Sequence, residues 1–250
     1  MRIEAVEVWR EHLPLTKPYT ISRETIADVE LSFVRIHAAG LSGAGCASPA
    51  VEVTGESPES CRAAVDAASH LLVGEEAFAI GRLARRLERE LPATPAARAA
   101  CDMALWDLLG RHLGVAVVGV LARVHEALPT SVTIGIQPAA EAVEAAREYV
   151  AQGFRALKVK LGRDVGEDTD RLRRIREAVG PGVALRTDPN AGKDAGELRR
   201  YLAETASLDL EFCEQPVARG GEAAFDGLDA AERAGLAADE SVHDLADAGQ

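Results

Sequence analysis

Two rhythms of apolar and polar positions divide the chain. Near the start, IEAVEVWR (3–10) and VELSFVRIHAAG (29–40) alternate, so each predicts a strand with one buried face. The polar segment TKPYTISRETI (16–26) separates them, and GLSGAGCASPAVEVTGES (40–57), rich in glycine and serine, predicts a loop beside an edge strand. From SPES (57–60) the spacing turns helical. Ser57 or Ser60 caps a helix reaching about Leu72, a second helix covers 75–90, and a third covers TPAARAACDMALWDLLGRHLG (94–114).

After Pro129 strands and helices alternate strictly. SVTIGI (131–136), RALKVKLG (155–162), GVALRTDPN (182–190), LDLEFCEQP (208–216) and LAADES (236–241) read as strands. Between them PAAEAVEAAREYVAQG (138–153), GEDTDRLRRIREAVG (166–180), DAGELRRYLAETA (194–206) and GGEAAFDGLDAAERAG (220–235) read as helices. Alternation at this period predicts parallel strands joined by right-handed crossovers, in a doubly wound sheet or in part of a β/α barrel. The fold class is therefore α/β, with an α+β domain over residues 1–125 and a β/α domain of about five strands over 126–250.

Composition narrows the function classes. The formal net charge of −12 and the absence of a basic stripe argue against a nucleic-acid partner. Apolar runs are interrupted well before the roughly 18 residues of a membrane span, and the N-terminus lacks the apolar core of a signal peptide. Cys46, Cys61, Cys101 and Cys213 are scattered, which fits reduced thiols in a cytoplasmic protein rather than disulfides or a zinc site.

Charge placement in the second half is not random. Only Lys17, Lys158, Lys160 and Lys193 are lysines among 28 basic residues, yet two of them sit two apart inside an apolar run. Side chains two apart on a strand share a face, so Lys158 pairs with Lys160, and Asp188 with Asn190. Asp188, Glu214 and the pair Asp239–Glu240 close the next three strands, with the acids at positions 188, 214 and 239. Carboxyl ends of parallel strands are where such folds place their chemistry. Each acid read singly is a helix cap or a solvated loop residue, and the lysines could simply neutralise the acids. Taken as a set, three hard oxygen ligands suit Mg²⁺ far better than zinc. A lysine becomes a base only when its pKa falls well below about 10.4, and a neighbouring ammonium works in that direction. Lys160, tuned by Lys158, beside a cation would remove a proton α to a carboxylate or carbonyl and give an enolate.

The ordered set KVK (158–160), DPN (188–190), EQP (214–216) and ADES (238–241) resembles the enolase superfamily, most closely its muconate-lactonizing-enzyme subgroup. ARAACDMALWDLLGRHLG (97–114) is similar to the passage from capping domain to barrel in that family. The resemblance spans essentially the whole chain. It implies an N-terminal capping domain followed by a modified TIM barrel, here partial, and a Lys base working with Mg²⁺. It further implies Asp188, Glu214 and Asp239 as Mg²⁺ ligands, Lys160 as acid/base with Lys158 tuning it, and Asn190 and Glu240 as supports behind them. PLTKPYTISRET (14–25) and SVTIGI look like the dipeptide epimerases, which interconvert L-Ala-L-Glu and L-Ala-D-Glu types. That likeness implies an acidic dipeptide or related carboxylate as substrate, with Arg23 meeting its acidic side chain and Thr133 and Ile134 lining the pocket. A homo-oligomer is the expected assembly.

Family members continue through three more strands, with a second lysine on the sixth and an acidic pair on the eighth. A chain ending at Gln250 is expected to be a fragment, to need a partner, or to be a non-catalytic binding or assembly module. Muconate cycloisomerase, o-succinylbenzoate synthase and N-succinylamino acid racemase are alternatives sharing the same half-site. A doubly wound nucleotide-binding protein finds no G-x-G-x-x-G or P-loop here.

Overall fold

The computed structural model describes residues 1–20, 25–243 and 245–249; Arg23 lies outside them. Its elements divide between two compact units, Met1–Thr16 with Asp28–Glu126, and Lys17–Ala27 with Ala127–Gln250. That Lys17–Ala27 groups with the second unit is unexpected, because long-range bonds decide it. The Ile136 amide donates to the Thr20 carbonyl at 2.7 Å, and Lys17 pairs with Glu148 at 3.1 Å.

The strands β1 (Ala5–Thr20), β2 (Thr25–Ala38) and β3 (Leu41–Ala47) form a sheet in that order, all but the residues of Lys17–Ala27 belonging to the first unit. Strands β1 and β2 absorb most of the polar segment expected between them. The glycine-rich stretch expected as a loop contains β3, antiparallel to β2, and then a one-turn helix α1 (Val51–Thr54). Its glycines serve contact rather than looping. A Cβ on Gly43 would lie 2.2 Å from the Ala104 carbonyl oxygen, and one on Gly45 would lie 1.9 Å from that of Ala100. Both carbonyls belong to α4 (Pro95–Leu113), which follows α2 (Pro58–Leu72) and α3 (Ile80–Glu90). The small buried face Ala97, Ala100 and Ala104 of α4 thus lies directly on strand backbone, and Asp107 accepts the Ala44 amide at 2.9 Å.

Local signals explain the helix ends. Ser57 and Ser60 form a capping box on α2. Thr94 offers α4 no side-chain cap, so the carboxylate of Glu56, 1% exposed, accepts from the Ala96 and Ala97 amides at 2.7 and 3.3 Å. The helix expected from residue 75 starts at Ile80 because 75–77 pair with the N-terminus: Ile3 donates to the Glu75 carbonyl and Ala77 to that of Met1. A short helix α5 (Val117–Val120) ends this unit's regular structure.

The second unit is a five-stranded parallel sheet in chain order: β4 (Val132–Ile134), β5 (Ala156–Lys160), β6 (Ala184–Asp188), β7 (Leu210–Glu214) and β8 (Leu236–Ala237). Helices α6 (Ala139–Ala151), α7 (Val165–Val179) and α8 (Ala195–Thr205) connect the first four strands, as expected for a partial β/α barrel. The fourth expected helix is broken into a 3-10 turn, Glu222–Phe225, and the five-residue α9 (Ala230–Ala234). Gly227 turns left-handed at φ 85° between them, and Asp229 starts a new capping box with Glu232. Ile134, Leu157, Val159, Leu185 and Cys213 are buried in one cluster with Ala142, Ala146, Leu172 and Ile175 of the helices. The alternate residues face the other way.

Gly45→Ala is expected to destabilise the chain by about 1–3 kcal/mol through overpacking against immovable backbone. Gly182→Ala, with open space around its Cβ, should stay within about 0.5 kcal/mol. Urea denaturation of both variants checks the contrast.

Candidate active site

The sheet face turned away from the helices carries the charge. Register places Thr133 beside Lys158, Lys158 beside Arg186, and Lys160 beside Asp188. Strand alternation then puts Thr133, Lys158, Lys160, Arg186, Asp188, Phe212 and Glu214 on one side. Ile134, one residue on from Thr133, sends its side chain into the helix-facing core.

At the carboxyl ends two ammonium groups converge on one oxygen. Lys160 Nζ lies 2.6 Å and Lys158 Nζ 2.9 Å from Asp188 Oδ2. Lys158 also donates to Glu214 Oε1 at 2.6 Å, and Lys160 to Asn190 Oδ1 at 2.9 Å. Asn190 reaches this position through a left-handed backbone at φ 48°, a conformation asparagine tolerates, while its amide donates to Asp188 Oδ1 at 2.8 Å.

Electrostatics keeps the central pair ionised. Burial is the largest single influence on Lys158 and acts to lower its pKa. The hydrogen bonds and charges of Glu214 and Asp188 together outweigh it, holding the ammonium above its ordinary 10.5. Burial likewise pushes the Asp188 carboxyl up, yet Lys160, Lys158 and the Asn190 amide together hold it below 3.8. The pair's contribution to stability is thus present through the neutral range. It is lost as pH falls through the lowered Asp188 value, or rises through the raised Lys158 value.

Asp239 stands apart from this cluster. It lies exposed two residues beyond β8, and among the described residues no three acidic, histidine or cysteine groups are gathered closely enough to hold a cation. The structure brings together Asp188 and Glu214 of the three expected ligands. Both are hard oxygen donors on adjacent strands, the ligand type that Mg²⁺ takes, and both reach the Lys158 nitrogen. A cavity of about 710 Å³ lies elsewhere, between β4, α6 and the Lys17, Pro18 and Thr20 stretch. It touches Thr133 and Ile134 but none of the clustered lysines or carboxylates.

Gln215, unremarked in the sequence, holds the turn that carries Asp239. Buried and left-handed at φ 36°, it accepts the Asp239 and Ser241 amides at 2.8 and 3.1 Å. Its amide nitrogen donates to Ser241 Oγ at 2.7 Å and to the Val217 carbonyl at 2.8 Å. The middle residue of EQP was the only available signal, and it is silent without the turn opposite. Three further buried charges behind β5, on Asp168, Arg171 and Lys193, were also not singled out as functional.

Residues 3–122 match the mandelate racemase/muconate lactonizing enzyme N-terminal domain, and residues 141–250 match the enolase C-terminal domain-like family. The L-Lys-D/L-Arg epimerase of Methylococcus capsulatus is 45% identical over 99% of this chain and 70% of its own length. The chain belongs to the mandelate racemase/muconate lactonizing enzyme family of the enolase superfamily. The L-Ala-D/L-Glu epimerase of Bacillus subtilis, another similar protein, is 32% identical over 97% of this chain and 68% of that one. A crystal structure of a dipeptide epimerase from Methylococcus capsulatus, complexed with Mg and the dipeptide L-Arg-D-Lys, superposes with a TM-score of 0.94. It is 45% identical and is matched over 100% of this chain and 71% of that one. The family's parallel strands account for the charge placement, since each strand ends on the same rim.

Gln215→Ala removes four hydrogen bonds and is expected to cost about 2–4 kcal/mol. Amide exchange at Asp239 and Ser241 should accelerate while β5 keeps its protection, as hydrogen-exchange NMR would show.

Proposed function

We propose that this protein is a Mg²⁺-dependent dipeptide epimerase acting on dipeptides with cationic side chains. The convergence of Lys158 and Lys160 on Asp188 Oδ2, with Glu214 alongside, carries the reading. In it Asp188, Glu214 and Asp239 hold the ion, Asn190 and Glu240 support them, and Lys160 is the proton carrier. Bound Mg²⁺ supplies positive charge that stabilises the negative charge developing on the substrate carboxylate.

Lys160, as the free amine, takes the proton from the α-carbon onto Nζ, and the electron pair of the broken C–H bond passes into the carboxylate to give an enolate. Lys158, kept charged by Glu214 and Asp188, stays a cation beside it. Return of a proton from Lys160 regenerates the starting isomer with exchange against solvent. Delivery to the opposite face by another group completes epimerisation.

Cationic side chains are favoured over acidic ones by the similar proteins. The relative at 45% identity is named for Lys and Arg, whereas the one named for Ala and Glu stands at 32%. The net charge of −12 also favours encounter with a cation. The acidic expectation rested on Arg23, outside the described residues, and on Thr133 and Ile134, of which Thr133 alone shares the lysine face.

Proton NMR in D₂O with Mg²⁺ tests this on the diastereomers of Lys-Arg and of Ala-Glu. The α-proton signal of the second residue should disappear, faster for Lys-Arg, and Lys160→Ala should slow the loss by about 10²–10⁴-fold. Faster exchange of Ala-Glu would return the substrate class to acidic dipeptides. No exchange of either from folded, Mg²⁺-bound protein would overturn the proposal.

A further inference from the structure

Lys193 is the buried lysine that the reading above leaves without a task. It sits on the β6–α8 loop three residues beyond Asn190, and its side chain is 1% exposed. Its ammonium is satisfied by three acceptors: Asp168 Oδ2 at 2.9 Å, the Gly162 carbonyl at 2.8 Å and the Arg163 carbonyl at 3.4 Å. Asp168, on α7 and itself buried, takes the Gly162 amide at 2.8 Å and Arg171 at 2.5 Å on its other oxygen. Arg171 in turn donates to the Lys160 carbonyl at 3.2 Å. The Leu161 amide donates to the Asp188 carbonyl at 2.9 Å. The backbone leaving Lys160 is thus gripped residue by residue, largely by buried charge.

We propose that Lys193 is a positioning residue for Lys160. It ties the loop that leaves Lys160 to the loop that carries Asn190, and so sets the Lys160 ammonium between Asp188 Oδ2 and Asn190 Oδ1. The backbone of the same residue extends the tie, since the Lys193 amide donates to the Pro216 carbonyl at 3.0 Å. The residue type follows from geometry. An ammonium has three donors around one point and matches one carboxylate and two carbonyls, whereas the planar guanidinium fork does not. In a chain that otherwise uses arginine for nearly all its positive charge, lysine is kept where a compact cation is required. The functional consequence rests on Lys160 being the proton carrier; the positional one does not.

The test uses the full chain with ¹⁵N-labelled lysine, which has only four side-chain signals to assign. Lys193→Met should shift the Lys160 Nζ signal and speed its hydrogen exchange, while Lys158, held by Glu214 and Asp188, keeps both. Lys193→Arg should fail to restore the wild-type Lys160 signal. α-Proton exchange of the dipeptide should then fall about 10²-fold in kcat with KM little changed. Lys193→Met leaves Asp168 short of a partner, so Lys193→Met/Asp168→Asn is made alongside as a charge-balanced variant that keeps the readout if the single one does not fold. An unmoved Lys160 signal in a folded variant would overturn the proposal, as would equal displacement of Lys158 and Lys160, which marks general loosening. Wild-type protein that exchanges no dipeptide proton would defeat the functional reading, leaving the NMR result to decide the positional one.

Discussion

One buried oxygen, Asp188 Oδ2, organises the second unit. Two ammonium groups meet there, and neither side could be ionised alone at such depth: Asp188 is 1% exposed. Removing one member of such a set leaves charge uncompensated, a loss of about 3–5 kcal/mol in buried pairs. The register of β5 against β6 and the left-handed turn at Asn190 bring Lys160 and Asn190 to this cluster. The same concentration of like charge at one oxygen makes the site chemically unusual, since it holds a lysine against another cation.

Around that point the strand-end loops are fastened to one another. Gln215 holds the turn after β8 through three hydrogen bonds. Lys193 holds the turn after β5, and backbone bonds from Ala191 to Gln215 and from Lys193 to Pro216 join the middle two. Beneath them the opposite sheet face is largely apolar, with Thr187 hydrogen-bonded to Tyr201 of α8, and is packed by helices, so the rim is supported from below and laced from above. Such a scaffold keeps reacting groups in place without relying on loop conformation.

Much of this was legible along the chain. Strict alternation after Pro129 marks the parallel strands, and the period-two rule pairs Lys158 with Lys160. The ordered motifs pointed to the family. Other features were hidden because their cause lies far off in sequence. Gly43 and Gly45 look like loop glycines until α4 is laid on them, and the break at Gly227 depends on one backbone angle. Thr133 and Ile134, adjacent in the chain, face opposite sides of the sheet.

The sequence by itself determined which residues carry charge, where strands and helices alternate, and which side chains share a face, because these follow from local periodicity. Tertiary structure alone decided that Lys158 and Lys160 meet on a single oxygen, that Asp239 stands apart from Asp188 and Glu214, and that Lys193 reaches back to Gly162. Those contacts join residues 28 to 31 positions apart, and no local pattern reports which distant partners will satisfy a buried charge.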